Sequence, residues 1–214
     1  MDALTLLAQD HKAVDRLFKR FEATDEDDSK LRRELVDRMI AELSRHAAIE
    51  EALFYPAVRE AVPDEEDQVL ESLEEHHIVK WTLDELRNLA PDAERFEAKV
   101  TVLMENVRHH VQEEESEVFP KLRKALGPVR LRQLGDRLTR AKKLAPTLPH
   151  PRSPDSPPAN LVTLPIAAAV DRGRDFIKKV SPRKASKKVR ETIAGLAAQR
   201  KKATSTGKER RPPR

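Results

Sequence analysis

The sequence predicts an all-α protein: an up-down-up-down antiparallel four-helix bundle with a short fifth helix and a basic, largely disordered C-terminal tail. Three observations predict it. The 214 residues are 36% charged with only 5 Gly, and Leu, Ala, Glu, Lys and Arg dominate, a helical composition. Apolar residues recur at helical spacing through four segments joined by short polar turns, which makes consecutive helices antiparallel neighbours. The pattern also repeats. His46-Ala-Ala-Ile-Glu50-Glu51-Ala-Leu-Phe-Tyr55-Pro56 returns 64 residues later as His110-Val-Gln-Glu-Glu114-Glu115-Ser-Glu-Val-Phe119-Pro120.

The first helix runs from about Asp2 to about Thr24, with Leu4, Leu7, Val14, Leu17 and Phe21 on one stripe and His11 filling the gap between Leu7 and Val14. Acidic residues 25–28 form a turn, and Ser29 is the expected N-cap of the second helix. That helix carries Leu35, Met39, Leu43, His46, Glu50 and Leu53, and Pro56 kinks it or ends its first part, with a continuation to Val62. After a Pro63-Asp64 turn, the third helix uses Leu70, Leu73, His76, Val79, Leu83 and Leu86. Pro91-Asp92 precedes the fourth, with Phe96, Val100, Leu103, Val107, His110, Glu114 and Val118. Gly127-Pro128 ends it, and a fifth helix from about Val129 to Leu144 packs Leu131, Leu134 and Leu138 on the bundle.

These elements place the bundle in residues 1–144. Residues 145–165 hold seven prolines and are expected to be a linker, and 166–214 form a basic tail with weak helical periodicity. The charge follows the same division: from Ala145 onward the net charge is +12, while the first 144 residues carry −8. Cysteine is absent, so disulfides, thiolate metal sites and cysteine nucleophiles are excluded. No apolar run is long enough for a membrane span, and the N-terminus opens directly into an amphipathic pattern without a signal peptide. A cytoplasmic protein is expected.

Four imidazoles, one per helix, fall where an apolar stripe calls for a core residue: His11, His46, His76 and His110. Glu50 and Glu114 follow two of them at i+4, on the same helical face and about 6 Å away. His11 and His76 are themselves related by an offset of 65, so two similar hairpins face each other and bring their ligands to one centre. That register selects His76 over His77. Burying two carboxylates unpaired is costly, and two cations of charge +2 or +3 remove the penalty while accounting for six ligands. Imidazole and carboxylate without sulfur suit iron, manganese or zinc.

Glu51 and Glu115 are rotated by one residue and are expected to face solvent or support the ligands. His77 and His109 lie about 100° around their helices and are expected at the surface or in a supporting role. Tyr55, Phe119 and Trp81 are expected to pack as aromatics, and His150 to have no partner. No second copy accompanies Glu74-x-x-His77, and no zinc-protease pattern, phosphate loop or nucleophile elbow is present.

Asp10-His11, His46-x3-Glu50-Glu51 with Tyr55-Pro56, Glu75-His76 and His110-x3-Glu114-Glu115 with Phe119-Pro120 resemble the hemerythrin-like HHE cation-binding domain over roughly residues 1–128. The resemblance implies a non-haem di-iron (Fe) centre bridged by carboxylates and an oxo or hydroxo group. His11, His46, His76 and His110 would be terminal ligands, and Glu50 and Glu114 the bridges. Two positions depart from the oxygen carriers of that family: their fifth histidine on the third helix is Lys80 here, and their aspartate on the fourth is Glu115. Reversible oxygen carriage is therefore not expected. What the resemblance implies is a protein binding or reacting with small oxygen species (O2, peroxide or NO), with a catalase-like peroxide scavenger in oxidative-stress defence as one form. A metal or oxygen sensor is the other. The Lys/Arg pairs of the tail, such as Lys178-Lys179 and Lys187-Lys188, would suit nucleic acid or an acidic partner.

Overall fold

A computed structural model describes residues 1–153 and Asp171. These residues belong to the first of two units of the chain, Met1–Arg172; the second, Gly173–Arg214, lies outside the described residues, as do residues 154–170. Helix α1 spans Ala3–Glu22, α2 Ser29–Ile49, α3 Tyr55–Ala61, α4 Glu66–Asn88, α5 Phe96–Glu113 and α6 Phe119–Lys142. A π-helical turn, Glu50–Phe54, joins α2 to α3, and a second, Glu114–Val118, joins α5 to α6. A 3-10 turn, Pro63–Glu65, precedes α4. The four rods of the bundle are thus α1, α2 with α3, α4, and α5 with the start of α6. Contacts run α1 to α2, α2 to α4, α4 to α5 and α5 to α1, closing the ring.

Local chemistry sets the helix ends. Asp2 caps α1, its carboxylate accepting from the Thr5 amide at 3.0 Å. The cap of α2 is Asp28 rather than Ser29: the Leu31 amide donates to Asp28 Oδ1 at 3.0 Å. Asp28 offers a charged acceptor one residue earlier, and Ser29 becomes the first helical residue. The kink expected near Pro56 takes the form of the first π turn. Proline has no amide to donate and its ring crowds the preceding turn, so the wider hydrogen-bond spacing opens just ahead of Pro56 and again ahead of Pro120. Gly127 breaks α6 with φ 67° and ψ 175°, and the helix resumes from Pro128, which accounts for the expected fifth helix.

Two apolar cores fill the bundle. One gathers Leu4, Leu7, Ile49, Phe54, Tyr55, Val118, Phe119 and Leu122, with Leu131, Leu134 and Leu138 from beyond the Gly127 break. The other gathers Val14, Phe18, Phe21, Leu35, Met39, Leu43, Leu83, Leu86, Phe96, Val100 and Val107. Each rod passes between the cores at a histidine. His11 separates Leu7 from Val14, and His110 separates Val107 from Val118.

On α4 the inward residue of the first turn is Val69, 1% exposed, while Leu70 is 47% exposed. His76 sets the phase: seven residues back return to its face, whereas six leave Leu70 about 120° away. The proline-dense stretch begins as packed chain rather than linker. Ala145 joins the first core and Leu148 lies against the second. Prolines bring no donor to satisfy, and the Thr147 and Leu148 amides both donate to Asp171 Oδ2 at 3.0 Å. His150 has a partner after all, its Nε2 lying 3.2 Å from the same oxygen. No helix among the described residues is long and apolar enough to cross a membrane.

Candidate metal centre

The four in-register histidines converge in the layer between the cores, and all four are buried, as are Glu50 and Glu114. Their Nε2 atoms point inward. His11 and His46 approach Nε2 to Nε2 at 3.0 Å, and His76 and His110 at 3.3 Å. Glu50 Oε2 lies 3.1 Å from His46 Nε2 and 3.5 Å from His76 Nε2, between the two pairs. Glu114 Oε2 is 3.3 Å from His11 Nε2. His11, His46, Glu50 and Glu114 form one group of donor atoms within 4.8 Å of one another, and Glu50, His76 and His110 form a second. Glu50 is common to both.

The outward Nδ1 atoms each face a carboxylate from another helix. His11 Nδ1 sits 2.7 Å from Glu115, His76 Nδ1 3.2 Å from Glu51, His110 Nδ1 2.7 Å from Glu75, and His46 Nδ1 3.8 Å from Asp10. The duplication orders this shell. Glu115 backs His11 as Glu51 backs His76, and Asp10 backs His46 as Glu75 backs His110. A carboxylate at Nδ1 fixes the proton there and leaves the Nε2 lone pair facing the centre. Glu51 and Glu115 therefore support ligands, and Glu51 is buried rather than solvent-facing. The reason is the π turn that starts at Glu50: its wider winding holds Glu50 and Glu51 both toward the interior, which straight helical phase does not allow, whereas the exposed Glu115 reaches His11 from the rim.

The two halves differ where the sequence differs. Tyr55 places its hydroxyl 3.3 Å from His76 Nε2 and 3.4 Å from His110 Nε2. Its counterpart Phe119 stacks on His11, with centroids 6.0 Å apart. Lys80 is buried and pairs with Glu51 at 3.0 Å, so the position of a fifth histidine instead anchors a supporting carboxylate. Trp81 donates to His77 Nε2 at 3.0 Å, and Arg152 lies over its ring. His77 is thereby turned away from the centre. Tyr55 was legible as an aromatic before a proline, but its hydroxyl's position depends on the π turn.

Whether this donor set fits a metal is decided by its carboxylates. Both oxygens of Glu50 and both of Glu114 are buried without a hydrogen bond among the described residues. Burial, with the negative Glu114, Asp10 and Glu51 nearby, pushes the Glu50 carboxyl well above its ordinary range. Glu114 goes the other way: burial opposes ionisation, but His11 and the charges of His110 and His46 outweigh it. Burial lowers His46 to about 4 and His76 well below the usual imidazole value, so both are neutral donors near pH 7. The neutral imidazoles of His46 and His76 beside orphaned carboxylate oxygens suit cations, while at His11 burial is outweighed by Glu114 and Glu115, which raise the imidazole.

The family model for the hemerythrin HHE cation binding domain matches residues 2–122. The chain belongs to that family. An uncharacterized hemerythrin-like protein of Schizosaccharomyces pombe is 28% identical over 172 residues, covering 80% of this chain and 84% of the relative. A DNA nickase of Nostoc sp. is 28% identical over 142 residues, 66% of this chain but 39% of the nickase. The crystal structure of a hemerythrin HHE cation binding domain-containing protein from Mycobacterium kansasii matches with a TM-score of 0.58 at 22% identity, over 67% of this chain and 86% of that one. That likeness concerns the fold alone. With the family membership and the buried donor groups, this hemerythrin-like chain is read as a cation-binding domain of the type that holds iron.

Proposed function

We propose that the chain is a non-haem di-iron protein that binds or reacts with small oxygen species: dioxygen, peroxide or nitric oxide. The observation that carries the reading is the set of four orphaned carboxylate oxygens at the meeting point of four inward Nε2 atoms. His11, His46, Glu50 and Glu114 would hold one iron, and His76 and His110 with Glu50 the other, Tyr55 offering an oxygen to the second group. Iron held there would supply the electrons for binding or reducing an oxygen species.

The protein's own residues do the rest. Glu115, Glu51 and Glu75 orient the imidazoles of His11, His76 and His110 and hold their Nδ1 protons, Asp10 lies 3.8 Å from His46 Nδ1, and the Tyr55 hydroxyl places a proton beside His76 and His110. On the other side of the histidine layer lies a cavity of about 30 Å³, walled by Val14, Leu43, Ala47, Val79, Val107 and Val111 as well as the histidines. It exceeds the roughly 10–15 Å³ that admits a water. Room on the scale of a few atoms beside the histidines supports a small ligand. A cytoplasmic setting and a place in oxidative-stress defence belong to the same proposal.

Metal analysis with an absorption spectrum before and after peroxide tests it. About two irons per chain are expected, with near-ultraviolet bands that change on peroxide addition and peroxide consumption lost in His76→Ala. Zinc, or no metal, would end the redox reading; iron without turnover would leave a sensor.

A second reading, carried by the basic composition of the tail, is that the tail contacts nucleic acid. Lys/Arg pairs there could neutralise phosphates. The full chain should then shift duplex DNA at low salt. Reversing Lys178, Lys179, Lys187 and Lys188 to Glu should abolish that shift, and its persistence would end this reading.

A further inference from the structure

A second cluster of metal-binding side chains lies outside the centre. Glu75 on α4 and His109 and Glu113 on α5 bring three donor atoms within 4.8 Å of one another. His109 and Glu113 are an i,i+4 pair, with Nε2 3.2 Å from Glu113 Oε1, so both address the same side of α5. The His109 side chain is 65% exposed and that of Glu113 30%. The cluster therefore opens to solvent at its histidine and closes toward the bundle at its carboxylates.

Two independent features separate it from an ordinary surface ion pair. Glu113 Oε2 is buried and has no hydrogen-bond partner among the described residues. An exposed His–Glu pair gives no reason to bury an unmet acceptor, whereas a cation beside it does. Glu75, in turn, faces two ways. It binds His110 Nδ1 at 2.7 Å, and its side chain forms part of the wall of the cavity against the four histidines. One carboxylate thus belongs to the surface cluster, supports a buried histidine and borders the interior.

We propose that Glu75, His109 and Glu113 form a third, solvent-facing site for a divalent cation, from which ions reach the buried centre. One imidazole and two carboxylates without sulfur select Fe2+, Mn2+ or Zn2+ over soft ions. Three protein donors leave the remaining positions to water, which suits exchange rather than permanent retention. A hydrated ion faces a large cost on entering the layer between two apolar cores. A half-dehydrated stop next to Glu75 divides that cost into two steps. The feeding role rests on the di-iron reading; the surface site itself does not.

The test uses the full-length, iron-loaded chain titrated with Zn2+ by calorimetry, with iron content checked afterwards. One further ion should bind, lose at least tenfold in affinity in both His109→Ala and Glu113→Gln, and be retained in His77→Ala, the neighbouring partly buried histidine. No further ion, or an ion unaffected by these substitutions, overturns the site. Stopped-flow iron uptake by the metal-depleted chain tests the feeding role. Uptake should slow at least fivefold in both variants while the final iron content stays at wild type. Unchanged uptake overturns that role. Should no variant, nor wild type, take up iron, the di-iron reading fails while the zinc stoichiometry still decides the surface site.

Discussion

Glu50 belongs to both donor groups, and this makes it the residue at which metal binding and stability of the metal-free fold conflict most directly. Its folded-state carboxyl is raised above the ordinary value by burial and by neighbouring negative charge. A raised carboxyl pKa means that the folded state holds a proton the unfolded state has already lost. Above an unfolded value near 4.5 the group therefore costs stability, and the cost grows until pH reaches the folded value. Glu50→Gln removes the charge while keeping the shape. In the metal-free chain at pH 7 it should raise stability by about 1–3 kcal/mol, and this gain should shrink as pH falls toward 4.5. On the di-iron reading, iron content should drop from two per chain to one or none. Chemical denaturation at several pH values together with metal analysis checks both halves, and a destabilised metal-free variant would refute the electrostatic account. His46 works in the opposite sense. Its imidazole is lowered to about 4 by burial, so its neutral form contributes stability that is lost as pH falls below the unfolded value of 6.5. Iron retention should fall over that interval, measurable by dialysis at pH 7 and pH 5. The six candidate positions, His11, His46, Glu50, His76, His110 and Glu114, stand out in the sequence because each interrupts an apolar stripe, and all six are buried. Glu51 does not stand out, because its inward turn depends on a π winding that the spacing of hydrophobic residues does not announce.

At the scale of elements, two glycines carry different constraints. Gly127 has φ 67° and ψ 175°, a backbone region open essentially to glycine alone, so Gly127→Ala should cost about 1–3 kcal/mol through backbone strain although no atom lies near a built Cβ. Gly135 is helical, yet a Cβ there would fall 2.7 Å from the Asp2 carbonyl carbon and 2.8 Å from the Ala3 amide. The backbone at the start of α1 packs directly on α6, and Gly135→Ala must push the two apart. A cost of about 1–3 kcal/mol follows, set by packing rather than by backbone strain. Thermal melts of the two variants check both costs, and a Gly135→Ala variant that melts with wild type would argue against the close approach of α1 and α6. The Gly127-Pro128 signal was legible because it is local chemistry. The need for glycine at 135 was not, since it arises from a helix more than a hundred residues away. The π turns fall between these cases. Pro56 and Pro120 marked where each rod would be disturbed, but not that the disturbance would widen the helix instead of ending it.

For the molecule as a whole, the decisive feature is a polar layer sandwiched between two apolar cores. Each core is a conventional helical packing that the 3/4 spacing made readable, apart from residues such as Leu70 whose phase is set by His76. The layer contributes little to stability without a cation, because it holds orphaned carboxylate oxygens in place of apolar contacts. Metal should accordingly act as a fold stabiliser as well as a cofactor. An ion present at about a thousand times its dissociation constant adds about 4 kcal/mol, which for a domain of this size raises the melting temperature by roughly 8–16 °C. The gain should not be uniform. Amide exchange in the metal-free chain should accelerate most at the two π turns, Glu50–Phe54 and Glu114–Val118, and least in the α1 and α5 segments around Phe18 and Val100. Metal should then restore protection at both π turns together, because Glu50 and Glu114, which open them, belong to the same donor group. Protection returning at one turn before the other during a metal titration would show that Glu50 and Glu114 do not share an ion, and that donor group would have to be abandoned.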